Sequence, residues 1–171
     1  MTLRFVSACA AGFVLLLTPV TSFAADRGPS MPEERKQALD YIHDLRTNPL
    51  GANAHQERSW LLKWLADIPD VTVHVCMIFD KLPKPDKKDS ASIIFAQMAA
   101  QAEFILTHPE QKDDRQAELL SGARGALQVY EVLLGSNPKD RQPYLDDLIQ
   151  RRDAGTLSDF VKEREASACK N

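Results

Sequence analysis

Four histidines, three cysteines and 24 carboxylates are the side chains of this 171-residue chain from which a reactive centre could be assembled. His43, His55, His74 and His108 form no helically spaced pair of metal ligands, and none belongs to H-E-x-x-H or to a two-cysteine zinc pattern. Asp40-x-x-His43 puts a carboxylate and an imidazole on one helix face, a geometry that di-iron bundles need twice. Here it occurs once and reads as a surface pair. His55-Gln56-Glu57 has H-x-E spacing, but the Pro-Cys-x-x-Cys half of such a zinc site is missing. There is no G-x-S-x-G elbow, no G-x-G-x-x-G and no Walker loop. No catalytic, cofactor-binding or metal-binding residue is therefore assigned, and no cofactor is expected. One route to an enzyme stays open, because a hydrolytic carboxylate pair needs only two acids facing one cleft.

The cysteines are more informative once the leader is set aside. Arg4 is the one charge ahead of Asp26, Phe5 to Val20 is almost wholly apolar or small, and Ser22-Phe23-Ala24 puts small residues where a signal peptidase reads. Residues 1–24 read as a signal peptide cleaved after Ala24, and residues 25–171 as a single domain. Cleavage leaves 147 residues with 20 basic and 24 acidic side chains, a balance of −4. That lacks the footprint of a nucleic-acid binder. Cys9 leaves with the leader, so Cys76 and Cys169 remain, an even count that in an exported chain points to one disulfide. It would close a loop of more than ninety residues, worth about 4–5 kcal/mol in the chain-entropy account.

The elements that must position these residues are helical. From Asp113 to Pro138, Leu120, Ala123, Leu127, Tyr130 and Leu134 make one apolar stripe, with aspartates at the start and Gly-Ser-Asn-Pro at the end. Gly122 and Gly125 lie inside it, each costing about 1 kcal/mol against alanine. With Ala123 and Ala126 they form a small-residue patch against which a second helix can lie closely. The partner is Ser90–Leu106, apolar nearly all round, with Gln97, Gln101 and Glu103 as interruptions. It should pack antiparallel across the Thr107-His108-Pro109 turn, and the two helices form a spine.

Ahead of the spine, Ser30 reads as the N-cap of a helix ending near Thr47, with Glu33 reaching back. A second helix, Ala54–Ala66, carries both tryptophans, Trp60 and Trp64. Together with Tyr130 these are the candidate interaction or pocket residues. Asp70–Leu82 fits both a strand and a helix. With no second strand to satisfy its backbone, the expectation is a helix capped by Asp70. Lys81–Asp89 is an exposed linker of polyproline character. Beyond Pro138, one helix starts at Pro143 and ends at Gly155, and another follows Thr156 as N-cap.

Ala126, Tyr130, Leu133, Leu134, Asn137 and Pro138 resemble the second half of a tetratricopeptide repeat in their small residue, aromatic, apolar pair and closing proline. The first half, Asp113 to Gly125, lacks that family's Trp, Leu-Gly and Tyr positions, and no second copy occurs. The resemblance implies helix-hairpin packing and no more.

The expected protein is all-α, a bundle of six or seven helices with an antiparallel helix-hairpin core. It is secreted or periplasmic, free of a membrane anchor once cleaved, and acts on a protein partner. A periplasmic carboxylate-pair hydrolase and a carrier of an apolar ligand are the alternatives. Oligomeric state is open.

Overall fold

The computed structural model describes residues 27–76, 78–82 and 88–169, the side chains of residues 88 and 89 excepted. The expected leader, residues 1–24, and most of the 81–89 linker lie outside the described residues. Six α-helices follow one another: α1 Pro32–Thr47, α2 Ala54–Asp67, α3 Lys88–Thr107, α4 Arg115–Ser136, α5 Pro143–Asp153 and α6 Leu157–Ala168. Single 3₁₀ turns at Pro109–Gln111 and Pro138–Asp140 lead into α4 and α5. No strand occurs among the described residues. The all-α expectation holds.

α3 and α4 form the expected antiparallel spine, and the two glycines explain how closely they approach. A Cβ on Gly125 would stand 2.3 Å from Ala100 Cβ, and one on Gly122 2.8 Å from the Gln97 carbonyl oxygen. Alanine at either site would push the helices apart. The spine separates two apolar clusters. On one side α1 and α2 bring Ile42, Leu45, Leu61 and Trp64 against Phe95, Ala99 and Ile105 of α3. On the other, α5 and α6 bring Leu145, Leu148, Leu157 and Val161 against Leu119, Leu127, Tyr130 and Leu133 of α4. Between α1 and the spine, the space lined by Ile42, Leu45, Phe95 and Val129 amounts to about 10 Å³. That is at or below what one water needs.

The start of α1 shifts by a residue, while α2, α5 and α6 begin where expected. Met31, not Ser30, caps α1, and Glu34, not Glu33, accepts from the Met31 N–H at 3.0 Å. Asp114 caps α4 by accepting from the Ala117 N–H at 3.0 Å. Thr156 precedes α6 as expected, but its hydroxyl donates back to the Arg151 carbonyl at 3.4 Å instead of capping.

The helix expected over Asp70–Leu82 does not form among the described residues of that range. Residues 70–76 and 78–82 run as a non-helical strap, unpaired with any strand among the described residues. Asp70 caps nothing of its own. Its carboxylate accepts from the Ser30 N–H and hydroxyl, both at 2.7 Å, and from Arg35 at 2.8 Å, tying the strap to the start of α1.

Candidate functional site

The strap is the least regular part of the described fold, and side chains of five helices hold it. Val71 is buried with the α1–α2 cluster, while Ile78 and Phe79 are buried with the α4–α6 cluster, so the segment crosses from one core to the other. Both ends are pinned by burial of apolar surface. Its backbone polar groups need partners that no neighbouring strand supplies. The His74 N–H is shared between Gln101 Oε1 at 2.9 Å and Glu118 Oε1 at 3.0 Å. Gln97 Nε2 donates to the Cys76 carbonyl at 3.1 Å, and Arg164 Nε donates to the Ile78 carbonyl at 3.2 Å. Two three-residue turns close on the strap itself, Cys76 N–H to the His74 carbonyl at 3.0 Å and Ile78 N–H to the Cys76 carbonyl at 2.8 Å.

Covalent and charged contacts complete the clamp. Cys76 is bonded to Cys169 just past α6, as expected from the cysteine count, with Cα atoms 5.2 Å apart. Arg115 sits beside that bond, its Nη2 3.5 Å from Cys76 Sγ and its Nε facing Glu165 across 3.2 Å. Asp80 accepts from the Tyr144 hydroxyl at 3.0 Å and pairs with Arg164 at 3.2 Å. Burial, and then the facing Asp80 carboxylate, push the Tyr144 hydroxyl well above its ordinary range. It is a fixed donor there.

The one acid–imidazole pair of the strap is His74 with Glu118. Glu118 is fully buried, and its Oε2 meets His74 Nδ1 at 2.7 Å, so the carboxylate orients the ring. The ring itself is about a third exposed. No serine or cysteine nucleophile is bonded to it among the described residues, and no three His, Cys, Asp or Glu side chains there converge on a metal site. The pair positions the strap.

Next to His74, Val75 points outward. It is 76% exposed, the largest value among the big apolar side chains of the described residues. Beside it lies a shallow, mainly apolar depression lined by Phe79, Leu82, Ile94 and Met98. Val75 thus stands out from a stretch that is fixed on its other side.

Of the residues singled out from sequence, Trp60 and Trp64 meet each other but not Tyr130. Trp64 is buried, Trp60 is half-buried and stacks on it at 5.8 Å, and Tyr41 packs edge-on against Trp60 at 5.3 Å. This cluster seals α1 to α2. Tyr130 is buried on the far side of the spine, where its hydroxyl accepts from the Gln142 N–H at 2.7 Å and donates to Asp146 at 2.9 Å, securing the start of α5. The residues that hold the strap, Gln97, Gln101 and Glu118, had no reading as a site. The signal was there in part: two glutamines one turn apart in the most apolar helix, beside a segment lacking a ladder partner.

A second polar feature lies at the α1–α2 turn, an open cleft of about 470 Å³ lined by Asp44, Thr47, Asn48, Asn53 and Glu57. Burial, and then the neighbouring Asp44 charge, hold the Glu57 carboxyl above its ordinary value, with Arg58 opposing. No protein-family model, no curated protein and no solved structure matches this chain.

Proposed function

We propose that this chain is an exported protein-binding module, one helical domain over residues 25–171 that presents the strap, with Val75 as anchor, to a protein partner in the cell envelope or outside the cell. The observation that carries the reading is the 76% exposure of Val75 on a segment whose backbone is held from behind by α3, α4 and α6. An extended chain already ordered in this way loses little further freedom on association, so most of the contact energy reaches the affinity. Extended segments are also a recurring mode of protein recognition. Export is supported by the composition of residues 1–24 and by the Cys76–Cys169 bond, which suits an oxidising compartment. Among the described residues no helix is long and apolar enough to cross a membrane.

The test is crosslinking capture from envelope extract with the oxidised mature protein beside its Val75→Asp variant. The expected outcome is a partner recovered by the first and lost with the second, at unchanged melting temperature. Identical captures from both proteins would remove Val75 from the account. No partner at all, with turnover of a glycoside or ester in a substrate panel, would overturn the module reading.

The carboxylate-pair hydrolase has one observation in its favour, the Asp44–Glu57 cleft with one acid pushed up. Turnover abolished by Glu57→Gln would establish it. Less supports the carrier, since the apolar space between α1 and the spine, bordered on the α2 side by Arg58, amounts to only about 10 Å³.

A further inference from the structure

The α1–α2 turn holds two carboxylates that the protein itself leaves without partners. Glu57 is 8% exposed, yet among the described residues its carboxylate makes no hydrogen bond and no ion pair, and it lines the 470 Å³ cleft. Asp44, on the α1 side of the cleft, is exposed and has no side-chain partner among the described residues. Arg58, whose charge offsets part of the penalty on Glu57, makes no ion pair with it and donates its Nη1 to the Pro49 carbonyl at 2.8 Å. Glu57 as a residue is nine-tenths removed from water, its carboxylate reaches only the cleft and has no protein partner, and burial and Asp44 both weigh against its charge. Such a group is normally matched by something. We propose that the cleft between α1 and α2 binds an organic cation, a guanidinium or ammonium group, through Asp44 and Glu57.

The charge balance favours a cation. The C-terminus of α1 and the N-terminus of α2 both end at this turn, so their opposite half-charges offset one another and the carboxylates set the sign. The other polar walls, Thr47, Asn48 and Asn53, offer oxygen acceptors. The Thr47 hydroxyl already donates to the His43 and Asp44 carbonyls at 3.1 and 3.2 Å, which leaves its lone pairs for a donor in the cleft. The shape argues against a bare metal ion. Two carboxylates in a cleft of this volume fall short of the six to eight close oxygens of a calcium cage, whereas a planar guanidinium reaches two carboxylates by paired N–H bonds.

Shape is set by the backbone. A Cβ on Gly51 would stand 2.5 Å from Asn48 Nδ2, so the tight turn admits glycine alone without displacing Asn48. The pair is also better suited to capture than to catalysis. A catalytic acid and base are held in place by hydrogen bonds from neighbouring groups, and neither carboxylate has any. The cation has two sources, a free amine such as a polyamine, or an arginine or lysine side chain on another protein.

Agmatine, putrescine and an arginine-containing tripeptide amide are titrated against the oxidised full domain by two-dimensional NMR, with calcium chloride at matched ionic strength as the fourth arm. The expected result is saturable shifts at the Gly51, Ala52 and Asn53 amides with a dissociation constant on the order of 1 mM or tighter. Glu57→Gln should weaken binding about tenfold or more, the loss of one charge-assisted bond, while Lys36→Gln on the outer face of α1 leaves it unchanged. Stronger binding of agmatine or putrescine assigns the site to a free amine, and stronger binding of the peptide to a protein side chain. Four outcomes each overturn the proposal: no saturable shift with any amine, saturation by calcium alone, an affinity indifferent to Glu57→Gln, or an affinity equally sensitive to Lys36→Gln.

Discussion

Gly125→Ala adds one methyl group between the two spine helices. Its Cβ would stand 2.3 Å from Ala100 Cβ and 3.4 Å from the Ala96 carbonyl. Carbon atoms rest about 3.5–4.0 Å apart, so α3 and α4 must separate locally by more than ~1 Å. Overpacking of this kind costs about 1–3 kcal/mol, and a contact so short between two backbone-bound carbons belongs at the upper end. Alanine returns about 1 kcal/mol of helix propensity. The net expectation is a loss of about 1–2 kcal/mol. Gly135→Ala in the same helix meets nothing within 4 Å. Near the frayed end of α4 it should gain about 0.5 kcal/mol. Two identical replacements in one helix should therefore move stability in opposite directions, by a gap of about 2 kcal/mol. Urea titration of the oxidised domain measures both as midpoint shifts at unchanged slope. Moving the methyl, Ala100→Gly with Gly125→Ala, should restore part of the loss and appear as a coupling energy in the double-mutant cycle. If Gly125→Ala stabilises as Gly135→Ala does, the close approach of α3 and α4 is refuted.

The remaining predictions concern the ties of the strap. Protein recovered from an oxidising compartment should be two hydrogens lighter before reduction than after. Replacing both cysteines by serine should lose up to about 4.7 kcal/mol for a loop of separation 93, and two freely alkylatable thiols in the native protein would refute the bond. For Asp70, burial pushes the carboxyl up, but the Ser30 N–H and hydroxyl, with Arg35, outweigh it and hold the folded value below the ordinary one. A lowered folded value gives stability that is present above the ordinary aspartate range and lost as pH falls through the folded value. Asp70→Asn should therefore cost about 1.5–3 kcal/mol at neutral pH and progressively less in acid, as pH falls through the folded value. Melting curves showing the same deficit at neutral and at acid pH would sink that account.

The legible part of the fold is the part ruled by one period. The Asp113–Pro138 stripe and the Gly122–Gly125 anomaly foretell α4, its partner α3 and their close contact, because a costly residue inside a good helix has few physical reasons to be there. The α1 cap slips by one residue because Ser30 is the better N-cap by type, but Asp70, forty residues on, takes its hydroxyl and amide. No local rule sees that competition. Cys76 with Cys169 is legible by counting. Trp60, Trp64 and Tyr130 illustrate the opposite limit: residue type marks a side chain that needs a partner, but not whether that partner lies inside the protein.

A helix is the natural expectation for the strap, because extended chain without a ladder leaves polar groups orphaned. Side chains, however, can take the place of ladder partners. Gln97 and Gln101, one turn apart on α3, with Glu118 on α4 and Arg164 on α6, supply the acceptors and donors that a neighbouring strand would have supplied. This solution is expensive. It buries a carboxylate, Glu118, and leaves Gln101 Nε2 buried with no partner among the described residues. An apolar helix across the same gap would satisfy its own backbone at no such cost. The expenditure therefore fixes where the segment lies, with Val75 outward and His74 held by Glu118, and stability alone gives no reason for it. Positions where local rules fail at an energetic cost are where function is to be sought, and that is why the strap, and not the tryptophan face, is the surface proposed to meet the partner.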